Sequence, residues 1–428
     1  MRMLAVDELV SAEHPVRAVW LSVCRMDLTA FYAGIQAVEG GVGRDAVDPR
    51  ILLCLWLQAT IEGIGSAREL TRRCDRDPVY QWICSQWICG GVGVNRDLLS
   101  DFRCAHPKAL DAVMTDTIGL LLQQDLVSLK RVAQDGMRVR ASAGKGSFRR
   151  QATLEKHLQA ARQQVEQMRQ LEDRDEDSEE EDQSGPSKRQ RSAQKRAAEE
   201  RLARIEQALK EHEQLQARRE KRKTGDGAST RCSTTDPEAR NMKMPDGGYR
   251  PAMNVQFATT CGSRVIVGVD VTNAGADGGL MTPMADRIEA AFGVTPDEYL
   301  VDGGFNSRED ITQMEQRQIK VFAPVKQEQS KREAGRDPYA RQRDDTDEYF
   351  AWRQRMSTDA AKAIYKERCS TAEFPNAGCR NRGLHQFCVR GIQKCRTLSV
   401  WQAVAHNLQM IRCHDWLPRL LAAASTAT

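Results

Sequence analysis

The chain has 428 residues, 40 % of them hydrophobic and 29 % charged, with a formal net charge of +4. That length suits two to three domains with ordinary cores, and no run approaches the ~20 apolar residues of a membrane span. The small net charge does not by itself announce a nucleic-acid binder, and 13 cysteines with no CxxC or zinc spacing point to reduced structural thiols in a cytoplasm. The opening MRMLAVDELVSAEHP lacks an apolar core of signal-peptide length.

Residues 1–125 read as a helical domain. ILLCLWLQATIEGIGSARELTRRC (51–74) carries apolar residues at helical spacing, interrupted near Gly63 and Gly65. Asp48-Pro49 is a helix start with proline in the first turn, and Ser66 is a second N-cap. A further helix is expected over 106–124. Arg68, Arg72, Arg73 and Arg103 would let this domain dock on DNA, and plain helical packing is the alternative. The pentapeptide QWICS (81–85) is followed at once by QWIC (86–89), and Gly90, Gly91 and Gly93 supply a loop to absorb the repeat.

Residues 127–142 alternate as a strand around Asp135, so 126–150 is expected to open a second domain. Leu154, Leu158, Val165, Met168 and Leu171 then step at helical spacing. An acidic, Ser/Gly/Pro-containing break covers 172–187, and Leu202, Ile205, Leu209 and Leu215 resume the pattern. The expectation for 151–224 is an inserted helical hairpin or coiled coil. The basic runs at 189–196 and 218–223 within it suit either phosphates or solvated helix faces.

From 225 to 428 the chain reads as mixed α/β. Strands are expected at 253–260 and 264–272, joined as a hairpin, and a helix at about 279–292. EYLVDGGF (298–305) is a short strand ending in a Gly-Gly turn. A helix over 307–318, a buried strand over 319–325 and helices around 355–373 and 398–412 complete the chain. Pro375 is expected to end or kink the helix that carries Glu373.

A strand with Asp135, a hairpin, a strand ending in Asp302 and a helix with Glu373 follow one another in the order of an RNase H-like domain. In that order Asp135 and Asp302 meet at the sheet centre although 167 positions apart. Three carboxylates from two strands and a helix suit two divalent cations ~3.5–4 Å apart. Hard oxygen ligands favour Mg²⁺, with Mn²⁺ as a substitute. Asp236 and Asp270 compete as ordinary turn or cap aspartates. Tyr365 and Arg368 share a helix face one turn apart, and with Arg380 they suit phosphate binding beside metals.

With these residues in place, the chain resembles a bacterial insertion-sequence transposase of the DDE class, in the branch with a Tyr-Arg-Glu-Lys signature. The resemblance rests on AQDGMRVRASAG, YLVDGGFNS and YKERCSTAEFPNAGCR, and it extends to residues 233–259, 381–391 and LWLQATIEGIGSAREL. Tyr365, Arg368 and Glu373 match the signature. Arg380 stands where the pattern has a lysine, and Arg368 to Glu373 is one residue longer than the commonest spacing. The resemblance implies binding of the element's terminal inverted repeats, hydrolysis at each end and joining of the freed 3′-hydroxyls to target DNA. It also implies at least a dimer on DNA, with Tyr365 and Arg368 holding phosphates. A DNA-binding scaffold without catalysis and a nuclease without strand transfer are the alternatives.

Overall fold

The computed structural model describes residues 6–33, 35, 46–86, 93–176, 188–221 and 227–425. Its strands, in chain order, are β1 (Arg131–Arg140), β2 (Phe148–Arg149), β3 (Cys232–Ser233), β4 (Arg240–Lys243), β5 (Tyr249–Thr260), β6 (Ile266–Thr272), β7 (Glu298–Leu300) and β8 (Lys320–Phe322). The chain divides into two units. One takes residues 1–137, 254–385 and 393–428, and the other takes 138–253 and 386–392.

In the first unit β6, β5, β1, β7 and β8 are neighbours in that order. β5 and β6 are antiparallel, as the 253–260 and 264–272 pattern predicts, whereas β1, β7 and β8 run parallel. The result is a mixed sheet. Parallel neighbours require long crossovers, and here the helices Met281–Phe292 and Arg308–Gln316 supply part of them. These two helices are tied together by Asp310. Its buried carboxylate accepts from Met281 N at 3.1 Å, from Thr282 N at 3.0 Å and from the Thr282 hydroxyl at 2.6 Å. Asn407, on the helix Ile392–Cys413, accepts from Ile266 N and donates to Ile266 O, both at 2.8 Å, which fastens that helix along β6.

The N-terminal helices follow their sequence signals closely. Asp48 caps Pro49–Ile61 by accepting from Arg50 N, and Ser66 caps Ala67–Arg76 by accepting from Glu69 N. Between them Gly63 sits at φ +77°, a backbone conformation that favours glycine. Pro49–Ile61 is buried almost throughout, and Trp56 donates to Leu99 O at 2.9 Å. Arg68 and Arg72 are exposed on Ala67–Arg76. Arg103 is used inside the fold instead, donating to Gly65 O at 2.6 Å and lying over the Trp56 ring at 4.4 Å. The repeat at 81–89 lies outside the described residues from 87 onward.

The second unit holds the helices Gln151–Glu176 and Lys188–Glu220. Arg162 pairs with Glu206 at 3.3 Å and Arg201 donates to Gln164 at 3.1 Å, so the two run in opposite directions. Leu154, Ala161, Val165, Ala198, Ile205 and Ala208 are buried along them. β4 pairs antiparallel with the first residues of β5 in this unit, and β2 with β3. No described helix is long and apolar enough to cross a membrane.

Of the two outcomes expected at Pro375, an end or a kink, the helix does not end: Asp359–Asn381 continues past it. An interior proline removes one i→i−4 hydrogen bond. Here Thr371, Ala372, Asn376 and Cys379 are buried on both sides of it, and that packing carries the helix through.

Candidate active site

The register of two parallel strands sets the site. Ala133 of β1 stands opposite Leu300 of β7. Two residues further along each chain come Asp135 and Asp302, so both carboxylates emerge at the same level from adjacent strands. Val132, Ala133 and Leu300 below them are fully buried. Asp135 is enclosed, with its side chain 16 % exposed, whereas the Asp302 side chain is 41 % exposed.

The helix Asp359–Asn381 brings Arg368 between them. Its guanidinium lies 3.0 Å from Asp135 Oδ1, 3.9 Å from Asp302 Oδ2 and 3.8 Å from Glu373 Oε1. The Arg368 side chain is only 12 % exposed, and its buried Nε has no hydrogen-bond partner among the described residues. Asn376, also buried, donates to Asp135 Oδ2 at 2.9 Å. Tyr365 is half-buried; burial pushes its hydroxyl above the usual value, Arg368 pulls it down, and Asp302 and Asp135 push it up. Arg380 is exposed and has no side-chain partner among the described residues.

Helix geometry explains why Glu373 is the loosest member, with its side chain 59 % exposed. Five residues after Arg368 place Glu373 about 140° around the axis, whereas four would place it only about 40° away. The position four residues on belongs to Ala372, which is 2 % exposed. Asn376, eight residues on, returns to about 80° and reaches Asp135.

Beneath the carboxylates a chain of buried polar side chains crosses the sheet. The Tyr299 hydroxyl donates to Gln134 Oε1 at 2.7 Å, Gln134 Nε2 donates to Gln256 Oε1 at 2.8 Å, and Gln256 Nε2 donates to Asp277 Oδ1 at 2.9 Å. Asn254 Nδ2 donates to the same Asp277 oxygen at 2.7 Å. Asp277 is 6 % exposed, and its charge pushes the Asp135 carboxyl upward. Gly136 makes this approach possible. A Cβ there would lie 2.5 Å from Gln256 Nε2, 3.0 Å from Asn254 Oδ1 and closer still to Asp277 Oδ1. Of the two glycines after Asp302, Gly304 is the demanding one. Its N–H donates to Asp302 Oδ1 at 2.7 Å, and a Cβ would sit 2.9 Å from that oxygen. A Cβ on Gly303 would meet only Pro324, at an ordinary 3.5 Å.

The competing aspartates lie elsewhere. Asp270 pairs with Arg287 at 3.0 Å, and Asp236, in the second unit, accepts from Gly391 N at 3.3 Å. The three side chains that share Arg368, those of Asp135, Asp302 and Glu373, offer only carboxylate oxygens as donors. That chemistry fits a hard divalent cation. No three His, Cys, Asp or Glu side chains among the described residues are already gathered as a metal cage. Arg368 stands between the carboxylates, and Glu373 is turned outward.

Comparison with protein families matches residues 4–103 to a transposase domain (DUF772) and residues 225–408 to a transposase DDE domain. The chain belongs to the insertion-sequence DDE transposases. No curated protein and no solved structure matches it. The transposase DDE match begins after the helices Gln151–Glu176 and Lys188–Glu220, so Asp302 and Glu373 fall inside it while Asp135 lies upstream.

Three polar neighbours in this transposase escape sequence reasoning. Asn376 is signalled only by its position eight residues after Arg368. Asp277 lies in a Gly/Ala-rich turn with no distinguishing pattern, and Asn254 reads as an ordinary strand residue.

Burial pushes the Asp135 carboxyl above the usual carboxylate value; Arg368 pulls it back, Asp302 raises it, and the Gly136 N–H lowers it. The folded value lies above the unfolded one, so the folded chain holds this proton more tightly. The stability from that linkage is present at low pH and is lost as pH rises from the ordinary carboxylate range through the folded value. Asp135→Asn, which mimics the neutral form, is therefore expected to unfold at a higher urea concentration than the unmodified chain at neutral pH in chelator. The two midpoints should converge as pH falls into the ordinary carboxylate range. A gap that stays constant with pH contradicts the shift.

Proposed function

We propose that this transposase binds the terminal inverted repeats of its element, cleaves a phosphodiester bond at each end, and joins the freed 3′-hydroxyls to target DNA. The reading takes Asp135, Asp302 and Glu373 as the catalytic carboxylates of an RNase H-like core. The observation that carries it is the register Ala133–Leu300, by which two sequence-remote aspartates emerge side by side from adjacent parallel strands and face a third carboxylate through Arg368.

On this reading Asp135, Asp302 and Glu373 hold two divalent cations, Mg²⁺ by preference and Mn²⁺ as a substitute, because every donor present is a hard oxygen. Bound cations would supply Lewis-acid polarisation of the scissile phosphate and a more acidic attacking hydroxyl. The chain's own residues do the rest. Asn376 fixes the orientation of Asp135, and Gly304 N–H fixes that of Asp302. Tyr365 and Arg368 hold a phosphate near the cut, and Arg380 meets the backbone further along the helix. Residues 1–125, with Arg68 and Arg72 exposed, serve as the DNA-end domain. The helices of 151–224 form a coiled-coil insertion for dimer or DNA-backbone contact. Synapsis of two ends calls for at least a dimer, acting in the cytoplasm on the nucleoid.

The test is incubation of the full chain with labelled element ends, Mg²⁺ and a target plasmid. Cleavage and joining that depend on Asp135 and Asp302 are the expected result. Cutting without joining would make the protein a nuclease on the same core, and binding without cutting would make it a scaffold.

A further inference from the structure

We infer that the ion pairs of Arg368 with Asp135, Asp302 and Glu373 and a divalent cation bound by those carboxylates exclude one another. Metal entry would then release the guanidinium toward a DNA phosphate. The inference rests on the carboxylate assignment above and adds to it an order of events, in which the guanidinium held by these carboxylates becomes available to DNA only once metal has arrived.

One guanidinium serves three carboxylates here, at 3.0, 3.9 and 3.8 Å. The Asp135 contact is the closest of the three, and no fork–fork pair is formed. The buried Nε has no hydrogen-bond partner among the described residues. Arg368 is therefore shared among the acids and bound tightly to none. Its single positive charge stands against Asp135, Asp302 and Glu373, with Asp277 adding a fourth negative charge close to Asp135. Such a cluster demands positive charge, and a doubly charged cation satisfies it better than one guanidinium. A cation held by these oxygens would face the guanidinium at the same short range, and like charges at that range repel strongly. The side chain is long enough to leave without the helix moving, since only its own torsions need change. Tyr365, one helical turn earlier, marks the side on which a phosphate would receive it.

The experiment measures Mn²⁺ binding to the full chain, without DNA, by electron paramagnetic resonance. Arg368→Met keeps most of the volume and removes the charge, and it is expected to bind Mn²⁺ at least about tenfold more tightly than the unmodified chain, about 1.4 kcal/mol. Arg368→Lys should fall between the two. Equal or weaker binding by Arg368→Met overturns the inference while leaving the carboxylate assignment standing. Absence of Mn²⁺ binding in both proteins overturns the carboxylate assignment and the inference with it.

A second measurement needs no variant. Phenylglyoxal labelling of the unmodified chain, mapped by mass spectrometry, should modify Arg368 several-fold faster with Ca²⁺ than with chelator. Arg353, buried on another helix against Asp345, supplies the reference and should not change. Equal labelling of Arg368 in both conditions overturns the inference.

Discussion

Asp302→Ala is expected to lower strand cleavage by about 10³-fold or more while leaving the melting temperature and DNA binding nearly unchanged. A carboxylate that positions catalytic cations supports several kcal/mol of transition-state charge stabilisation. Each 1.36 kcal/mol corresponds to a factor of ten in rate, so several give about three decades. The stability side is small for a structural reason. Asp302 is 41 % exposed, and its Arg368 contact is long at 3.9 Å, a geometry in which solvent screens most of the pair's energy. Its hydrogen bond from Gly304 N–H lies on an exposed turn, where water replaces the lost acceptor. Cleavage kinetics on labelled ends and a thermal melt of the same preparation decide the matter. Retention of cleavage within a factor of ten overturns the role of Asp302, and loss of folding overturns the reading of its surroundings.

Arg368→Ala would behave differently, because Arg368 is 12 % exposed and its partner Asp135 is 16 % exposed. Removing one member of a buried pair leaves an uncompensated charge, a far larger penalty than loss of an exposed contact. The exposed carboxylate and the enclosed guanidinium therefore answer to separate measurements.

Much of this was legible before the structure. Asp48-Pro49 and Ser66 announced two helices because capping chemistry is local, and the hairpin at Cys261, Gly262 and Ser263 announced β5 and β6 for the same reason. The meeting of Asp135 and Asp302 came from the order of elements, and the parallel register of β1 and β7 bears out their adjacency. The extent of the Asp359–Asn381 helix was not legible. A proline rule is local, whereas the packing of Asn376 and Cys379 that carries the helix through Pro375 is not. Asp277 was hidden for a similar reason. Its significance comes from Gln256 and Asn254 on a neighbouring strand and from the absence of a side chain at Gly136. No spacing in the chain encodes that convergence. The outward turn of Glu373 was legible in principle, since five residues is an awkward interval on a helix, but only buried Ala372 shows which face the helix keeps.

Gly136→Ala is expected to destabilise the chain by about 3 kcal/mol or more and to reduce cleavage with it. The added methyl would lie 2.5 Å from Gln256 Nε2, 3.0 Å from Asn254 Oδ1 and closer still to Asp277 Oδ1. Real Cβ atoms do not tolerate such approaches, so something must yield. These neighbours are not flexible tips in solvent. Asn254 and Gln256 are at most 1 % exposed, and Asp277 is 6 % exposed. Moving Asp277 breaks charge-assisted bonds of 2.7 and 2.9 Å. Moving Gln256 instead disturbs the 2.8 Å bond from Gln134 and, through it, the 2.7 Å bond from Tyr299. Moving β1 would carry Asp135 out of line with Asp302. Every escape therefore costs either a buried hydrogen bond to a charge or the alignment of the two strands. The discriminating companion is Gly303→Ala, whose methyl meets only Pro324 at 3.5 Å and should change stability by less than about 1 kcal/mol. Urea denaturation of the two variants side by side is the measurement. Equal midpoints would mean that the polar chain beneath the carboxylates yields freely to the added methyl.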